Sequence, residues 1–205
     1  MSDAGTVFLL DDDPAVLAAL GRLLRSAGYR AMAFESAREF MDGEHDQCAG
    51  CLVLDVNMRG LNGIDLQRVL AERGSALPIV FLTGAAHINM GVQAMKGGAA
   101  DFLTKPVDDK VLLDAVGAAV ERSRVEGKVR ARIREIRHRL DTLTPREREV
   151  LPLIVAGRMN KQAAAELGTS EKTIKIHRAR LMVKMGARTL PDLVRLAERA
   201  GVPLP

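Results

Sequence analysis

Carboxylate, hydroxyl and ammonium side chains follow four short apolar segments of the chain, each at the point where the segment ends. Apolar segments of this length are typical of strands that are buried on both faces of a parallel sheet. The polar ends of parallel strands meet at the carboxyl edge of the sheet, where open α/β sheets bind ligands. The residues at these ends are Asp11, Asp12, Asp13, Asp55, Thr83, Gly84 and Lys105. This combination of side chains predicts a site for a cation and a phosphate.

Phosphoryl transfer is the chemistry that such a set supports. A carboxylate such as that of Asp55 can attack a phosphoryl group and form an acyl phosphate when a bound Mg²⁺ lies beside it. Lys105 would neutralise a phosphate oxygen, Thr83 would donate a hydrogen bond to it, and Gly84 would leave the approach open. Taken singly, an aspartate at a strand end also serves as a helix cap, and Lys-Pro serves as a turn. The occurrence of all these residues in order at successive strand ends favours the site.

The first 120 residues alternate between strand and helix patterns, and these elements would position the polar residues. The predicted strands end at Leu10, Phe34, Asp55, Thr83 and Thr104, and the predicted helices begin at Pro14, Ala37, Gly63, Ile88 and near Asp108. Five such repeats predict a doubly wound α/β fold with five parallel strands and right-handed crossovers.

The chain from residue 142 onward shows helical patterns throughout, which predicts an all-α domain. Thr144 and Glu147 have the spacing of a capping box at the start of its first helix. The predicted N-caps are Thr144, Asn160 and Ser170, and a final helix covers about 191–200. Two helices joined by a short glycine-containing turn, with a second helix rich in Lys and Arg, are typical of a helix-turn-helix domain.

The segment between these two regions carries apolar residues at helical spacing among charged ones. They are Val125, Val129, Ile133, Ile136 and Leu140. Two interpretations stay open: a solvated linker helix that rests one stripe on a neighbour, and a dimerising helix that transmits a signal.

The net charge of +4 is divided unevenly along the chain, because residues 1–120 carry −6 and residues 121–205 carry +10. A basic half predicts a polyanionic partner such as nucleic acid. Tryptophan is absent and there is one tyrosine, which argues against stacking on unpaired bases. The chain has no signal-peptide pattern and no apolar segment of about 20 residues, so we expect a cytoplasmic protein with no membrane partner.

Cys48 and Cys51 form an isolated C-x-x-C pair. It is a weak signal for redox or metal chemistry, since Cys51 begins a predicted buried strand.

Residues 5–120 resemble the receiver domain of bacterial two-component response regulators. The matching motifs are Leu10-Asp11-Asp12, Asp55-Val56-Asn57-Met58, Thr83-Gly84 and Lys105-Pro106. The resemblance implies a flavodoxin-like fold in which Asp55 accepts a phosphoryl group from a sensor histidine kinase. It implies a protein that is not an enzyme, although self-dephosphorylation is expected.

The same resemblance implies a Mg²⁺ site and a signalling pair. Mg²⁺ would be held by the side chains of Asp12 and Asp55, by the backbone carbonyl of Asn57 and, through water, by Asp11. Thr83 and Phe102 match the pair whose movement transmits the signal. A cis peptide bond is implied before Pro106.

Two positions depart from the receiver pattern. The family usually has proline after the methionine of the phosphorylation loop, but this chain has Arg59, which adds a cation close to the site. Ala85 stands two residues after Thr83, where many members carry a longer side chain. For both reasons the sequence does not predict the lifetime of the phosphate.

The third predicted helix of the basic region, capped by Ser170 and ending at Met185, is the candidate recognition helix. Its early side chains would face base edges in the major groove, and the candidates are Lys175, Ile176 and Ala179. The candidates for phosphate contacts are Lys172, Arg178, Arg180 and Lys184. The alternative is a solvated helix face, and core packing is expected for Ile174, Leu181 and Met182.

The segment from Leu143 to Ala200 resembles the LuxR-type (NarL/FixJ) DNA-binding domain. The motifs are Leu-Thr-Pro-Arg-Glu-Arg-Glu-Val-Leu from Leu143, Gly-x-x-Asn-Lys from Gly157, and Thr-Ile-Lys-Ile-His-Arg-Ala from Thr173, which places Thr173 among the DNA-binding candidates. Both resemblances are closest to the FixJ-like branch. They imply that the last helix dimerises on double-stranded DNA.

We therefore expect a receiver domain at 1–122, a charged linker helix at 123–141 and a helix-turn-helix domain at 142–205. Phosphorylation of Asp55 would promote a homodimer that binds DNA and regulates transcription, with RNA polymerase as a candidate partner. One alternative is a constitutive DNA-binding regulator whose receiver does not switch. Another is a haloacid-dehalogenase-like phosphatase with Asp11 as nucleophile and Asp13 as acid and base.

Overall fold

The computed structural model describes residues 4–43, 45, 49–84 and 88–202, with the backbone alone for Ile88. The chain forms two compact units, Met1–Gly127 and Lys128–Pro205. The division between them lies inside the predicted linker helix at 123–141. Ala85, which departs from the receiver pattern, and Cys48 of the C-x-x-C pair lie outside the described residues.

The first unit alternates strands and helices in the predicted order. Its elements are β1 Thr6–Leu10, α1 Pro14–Ser26, β2 Arg30–Phe34, α2 Ala37–Met41, β3 Gly50–Asp55, α3 Gly63–Glu72, β4 Ile79–Thr83, α4 Ile88–Lys96, β5 Asp101–Thr104 and the first part of α5 Asp109–Asp141. The five strands are parallel in the order β2-β1-β3-β4-β5. This is the flavodoxin-like order of a doubly wound sheet, as predicted.

The residues of the central strands that point to either face of the sheet are mostly apolar, and helices cover both faces, so these strands are buried on both sides. Every residue of β1, β3 and β4 is buried. Alternate strand residues belong to two separate hydrophobic clusters: Phe8 and Leu54 lie in one, Leu9 and Val53 in the other. Because the sheet is held from both faces, the carboxyl ends of its strands have fixed positions.

Side-chain caps begin the helices that follow the central strands. The Asp13 carboxylate accepts a hydrogen bond from the backbone N–H of Ala15 at 2.8 Å and so caps α1. Asn62 caps α3 in the same way, by accepting from Ile64 at 2.8 Å. Both caps set the direction in which the chain leaves the polar edge of the sheet.

The second unit contains the last part of α5 and four further helices among its described residues. They are α6 Pro145–Val155, α7 Asn160–Glu166, α8 Glu171–Met185 and α9 Leu190–Ala200. One hydrophobic cluster joins them, and its buried members include Ile136 of α5, Ile154 of α6, Leu181 of α8 and Leu193 of α9. The stripe proposed for the linker is therefore divided: Ile136 lies in this core, whereas Val125 and Val129 are exposed.

The capping box predicted for Thr144 and Glu147 is present at the start of α6. Ser170 caps α8 as predicted, by accepting a hydrogen bond from Thr173. The cap predicted at Asn160 is wrong by one position: Met159 precedes α7, and the Gln162 side chain accepts from its backbone N–H. None of the helices in the described part of the chain is long and apolar enough to cross a membrane.

Candidate functional site

Asp55 is the last residue of β3, and its carboxylate lies at the carboxyl edge of the sheet between β1 and β4. The residue is buried, with 7% of its surface exposed. One carboxylate oxygen accepts a hydrogen bond from the backbone N–H of Asn57 at 2.7 Å. The other accepts from the Lys105 ammonium at 3.0 Å. These contacts hold the carboxylate in one orientation toward the polar edge.

Lys105 follows β5 and contacts residues at the ends of three other strands, β1, β3 and β4. Its ammonium donates to Asp11 at 2.5 Å as well as to Asp55, and its backbone N–H donates to the Thr83 carbonyl at 2.7 Å. The following Lys105–Pro106 peptide bond is cis, as the receiver resemblance implies. Burial opposes the charge of this ammonium, but the hydrogen bonds and charges of Asp11 and Asp55 outweigh burial and raise the pKa of Lys105 above its ordinary value. Lys105 is therefore a cation at neutral pH.

Asp11 and Asp12 follow β1 and differ in their surroundings. Asp11 is buried, pairs with Lys105, and accepts from the backbone N–H of Asp13 at 2.9 Å. Asp12 is half-buried and pairs with Arg59: one of its oxygens lies 3.3 Å from the Arg59 backbone nitrogen and 3.4 Å from its Nε. All three carboxylates predicted as metal or phosphate ligands therefore have a cationic partner.

Thr83 is completely buried at the end of β4, and its hydroxyl accepts a hydrogen bond from the Asn57 side-chain amide at 3.3 Å. Gly84 is exposed, and a Cβ placed on it would meet no atom of the described residues within 4 Å. Among the described residues, Gly84 therefore adds no bulk beside Thr83. Phe102 of β5 packs with its ring centroid 6.1 Å from that of Phe81 and lies beneath Gly91 of α4.

The oxygen atoms at this edge match the ligand preference of Mg²⁺. Asp11, Asp12, Asp55 and the Asn57 carbonyl supply hard oxygen donors, which magnesium prefers. Across the described residues, no three His, Cys, Asp or Glu side chains are arranged to hold a metal ion. Lys105 lies between the carboxylates of Asp11 and Asp55, and Arg59 contacts that of Asp12. The oxygen donors fit Mg²⁺ in their chemistry. In this structure the three carboxylates pair with Lys105 and Arg59.

The residues that the phosphatase alternative requires have other roles. Asp13, its proposed acid and base, caps α1. This alternative also needs an acidic pair at a later strand end, but Asp108 stands at the start of α5, where its carboxylate accepts hydrogen bonds from the backbone N–H groups of Lys110 and Val111. The redox interpretation of Cys51 has no support either, because burial raises the pKa of its thiol to about 12 and keeps it protonated.

The candidate DNA-binding surface is the exposed face of α8. One face of this helix packs in the core through Ile174, Leu181 and Met185. The exposed candidates are Lys172, Lys175, Ile176, Ala179 and Arg180. Residues 172, 175, 176 and 179 follow helical spacing, so they form a continuous stripe. The predicted base-reading and phosphate-binding positions on this stripe are accessible to a ligand.

Three of the predicted DNA contacts are already engaged within the domain. The Thr173 hydroxyl lies 2.8 Å from that of Ser170, and Arg178 is half-buried with a 3.4 Å hydrogen bond to Asn160. Lys184 donates to the buried Glu147 carboxylate at 2.7 Å and to the Thr142 carbonyl at 3.0 Å. Lys184 therefore has a structural partner that sequence reasoning missed, because the capping-box pattern assigns Glu147 only to the N-terminus of α6.

The pairing changes the acidity of Glu147. Burial alone would raise the pKa of Glu147, but the hydrogen bonds from Lys184 and Thr144 outweigh burial and hold the pKa below its ordinary value. Glu147 is thus ionised at neutral pH and pairs with the Lys184 ammonium at the junction of α6 and α8.

Two family models match the chain. The model described as "Response regulator receiver domain" matches residues 7–117. The model described as "Bacterial regulatory proteins, luxR family" matches residues 141–197. The first match covers the carboxyl edge that holds Asp55, and the second covers α6 to α8 and most of α9.

Individual proteins match over nearly the whole chain. Nodulation protein W of Bradyrhizobium diazoefficiens is 46% identical over 201 residues, covering 98% of this chain and 88% of the relative. The transcriptional regulatory protein FixJ of the same organism is 40% identical over 202 residues, covering 98% of both. The solved structure of the response regulator StyR has a TM-score of 0.85 and 42% identity, covering 95% of this chain and 98% of that one.

Proposed function

The chain belongs to the two-component response regulators that join a receiver domain to a LuxR-type DNA-binding domain, in the FixJ-like branch, and from this we propose that phosphorylation of Asp55 controls its binding to DNA. The observation that supports the proposal best is the contact of the buried Asp55 carboxylate with the Lys105 ammonium at the carboxyl edge of the sheet.

The proposed reaction transfers a phosphoryl group from a phosphohistidine of a sensor kinase. An Asp55 carboxylate oxygen attacks phosphorus, the phosphorus–nitrogen bond breaks, and the histidine ring leaves with the bonding electrons. Bound Mg²⁺ would neutralise charge on the phosphoryl oxygens. Asp12, Asp55 and the Asn57 carbonyl would hold the ion, with Asp11 acting through water.

The chain's own residues would orient and stabilise the phosphorylated carboxylate. Lys105 would move its contact from the Asp55 oxygen to a phosphoryl oxygen, since its charge persists at neutral pH. Thr83, whose hydroxyl now accepts from Asn57, would turn its proton toward the phosphate. Phe102 would then adjust its packing beneath α4. Hydrolysis of the acyl phosphate by water would reset the switch.

Phosphorylation would favour a homodimer, and two linked recognition helices would then bind paired DNA half-sites at high effective concentration. The residues proposed for bases are Lys175, Ile176 and Ala179, and those proposed for phosphates are Lys172 and Arg180. Thr173 and Arg178 would serve if their internal contacts are exchanged for DNA contacts on binding. The proposed partners, chromosomal DNA and RNA polymerase, would place the protein in the cytoplasm.

Phosphorylation can be tested by intact-protein mass after incubation with acetyl phosphate and Mg²⁺. We expect the wild-type chain to gain one phosphoryl group and Asp55→Asn to gain none. Asp65→Asn is the matched control, because it removes an exposed carboxylate of α3 and should leave the gain unchanged. A phosphoryl group on Asp55→Asn would contradict the assignment.

The constitutive alternative is distinguished by DNA affinity. The same phosphorylated and unphosphorylated samples are titrated against a duplex selected from a random pool by the wild-type protein. We expect phosphorylation to tighten DNA binding at least about tenfold. This factor corresponds to a coupling free energy of about 1.4 kcal/mol between phosphorylation and DNA binding. Equal affinity of both forms would favour a regulator whose receiver does not switch.

A further inference from the structure

Arg59 lies beside one ligand of the proposed magnesium site. Its side-chain Nε is 3.4 Å from the Asp12 carboxylate, and its backbone nitrogen is 3.3 Å from the same oxygen. The two residues are far apart in the chain, Asp12 after β1 and Arg59 in the loop after β3. The fold therefore brings a full positive charge to an oxygen that the metal would use.

The two cations at the site are held differently. Lys105 has 26% of its side chain exposed and bridges Asp11 and Asp55, so it is part of the packed edge of the sheet. Arg59 has 93% of its side chain exposed and makes its ion pair with Asp12. Exposed ion pairs contribute little free energy, so this contact can be released at small cost.

Release of the guanidinium is required for Asp12 to ligate a metal with that oxygen. A guanidinium and a divalent cation within a few ångströms of one carboxylate also repel each other. The positive charge of Arg59 therefore opposes metal binding twice, by occupying the oxygen and by raising the local potential.

We propose that Arg59 is a competitor of Mg²⁺ at Asp12 and weakens the metal affinity of the receiver site. This proposal rests on the proposed phosphorylation of Asp55. Arg59 would set the Mg²⁺ concentration at which Asp55 can accept a phosphoryl group. Removing the Arg59 side chain should tighten Mg²⁺ binding while the backbone N–H contact stays.

The chain supplies a matched control. Arg68 of α3 is also exposed and also pairs with a nearby aspartate, Asp65, at 3.0 Å. Arg68→Ala and Arg59→Ala change the net charge equally, but only Arg59→Ala removes a contact to Asp12. A comparison of the two separates a local competition from a change in overall charge.

The test is the Mg²⁺ dissociation constant of the full-length protein, measured by isothermal titration calorimetry without a phosphodonor at about 20 mM ionic strength. We expect Arg59→Ala to bind Mg²⁺ about three- to tenfold more tightly than wild type, and Arg68→Ala to stay within about 1.5-fold. The difference should shrink in 0.5 M salt, because exposed charges are then screened over about 4 Å.

Two outcomes would overturn the proposal: Arg59→Ala within about 1.5-fold of wild type at low salt, or equal tightening in Arg59→Ala and Arg68→Ala. Asp12→Asn keeps this result separate from the proposed function. If wild type binds Mg²⁺ and Asp12→Asn loses that binding, the metal site is correct and the Arg59 comparison alone decides. If Asp12→Asn binds Mg²⁺ as tightly as wild type does, Asp12 is not a metal ligand. The assignment of the metal site and the proposed competition by Arg59 are then both refuted.

Discussion

Lys105 is the residue on which the polar edge of the sheet depends. Asp11 and Asp55 are both buried, and each accepts a hydrogen bond from the Lys105 ammonium. Two buried carboxylates without a cation would lose solvation and repel each other. A single lysine therefore stabilises the resting site and supplies the charge proposed to bind the phosphate.

Replacing Lys105 by methionine should lower the free energy of unfolding. We expect a loss of about 2–3 kcal/mol, somewhat less than for a fully buried ion pair, because the ammonium is partly exposed. The measurement is urea denaturation at pH 7 in the presence of EDTA. Lys110→Met, which changes an exposed lysine at the start of α5, should change the stability by less than about 0.5 kcal/mol. Equal stabilities of the two variants would contradict the role given to Lys105.

At the scale of elements, the start of α3 packs directly on the strand that carries Asp55. The backbone N–H of Gly63 donates to the Val56 carbonyl at 2.9 Å. A Cβ at Gly63 would lie 2.5 Å from the Asp55 carbonyl oxygen and 3.0 Å from the Val56 Cα. Both contacts are to backbone, which cannot move without shifting β3.

Gly63→Ala should therefore destabilise the protein by about 1–3 kcal/mol and reduce phosphorylation by acetyl phosphate, since the loop after Asp55 must shift. Gly127→Ala in α5 is the comparison, because a Cβ there would meet none of the described atoms within 4 Å. That change should stabilise the helix by about 0.5–1 kcal/mol. Denaturation curves and intact mass measure both effects, and a Gly63→Ala protein as stable and as readily phosphorylated as wild type would refute the close packing.

The junction of α6 and α8 depends on the Glu147–Lys184 pair. The pKa of Glu147 is lowered in the folded state, so the unfolded state binds a proton more readily. The stabilisation is fully present above the ordinary pKa of 4.5 and is lost as pH falls through the lower folded value. The pair therefore contributes at neutral pH and not in strong acid.

Glu147→Gln should reduce stability at pH 7, and its difference from wild type should shrink as the pH falls below about 4.5. The readout is the free energy of unfolding in urea at a series of pH values. Glu149→Gln, which removes an exposed carboxylate paired with Arg146, is the control and should change the stability at pH 7 by less than about 0.5 kcal/mol. A difference for Glu147→Gln that stays constant with pH would mean that its charge does not contribute.

At the scale of the whole molecule, the charge division of the sequence corresponds to two functions. The acidic first part contains the proposed cation and phosphate site, and the basic second part presents the exposed stripe of α8. Affinity for DNA phosphates is expected to depend strongly on salt, whereas base contacts should depend on sequence. These two contributions can be separated on the full-length chain.

Lys172→Ala should weaken binding to selected and random duplexes alike and reduce the slope of log affinity against log salt by about 1. Lys175→Ala should cost about 1–3 kcal/mol on the selected duplex and much less on random DNA. Fluorescence anisotropy at several salt concentrations measures both. Arg22→Ala, an exposed change on α1, should leave affinity and slope unchanged. A loss of sequence preference in Lys172→Ala but not in Lys175→Ala would reverse the two assignments.

The sequence by itself determined the order of the elements, the five parallel strands and the set of residues at their carboxyl ends. These follow from local signals, namely apolar runs, caps and glycine or proline stops, and the convergence of parallel strands then brings Asp11, Asp55, Thr83 and Lys105 to one edge. The predicted cap at Asn160 was wrong by one residue, because the Gln162 side chain binds the preceding N–H instead.

Only the tertiary structure decided which charged groups pair. Asp13 caps a helix while its neighbours Asp11 and Asp12 bind Lys105 and Arg59, and Lys184 binds Glu147 within the domain. Except for the cap at Asp13, these partners lie far apart in the sequence, and the sequence placed Lys184 among the DNA contacts rather than opposite Glu147. Their pairing depends on how packed helices and strands aim individual side chains, which the spacing of residue types along the chain does not specify.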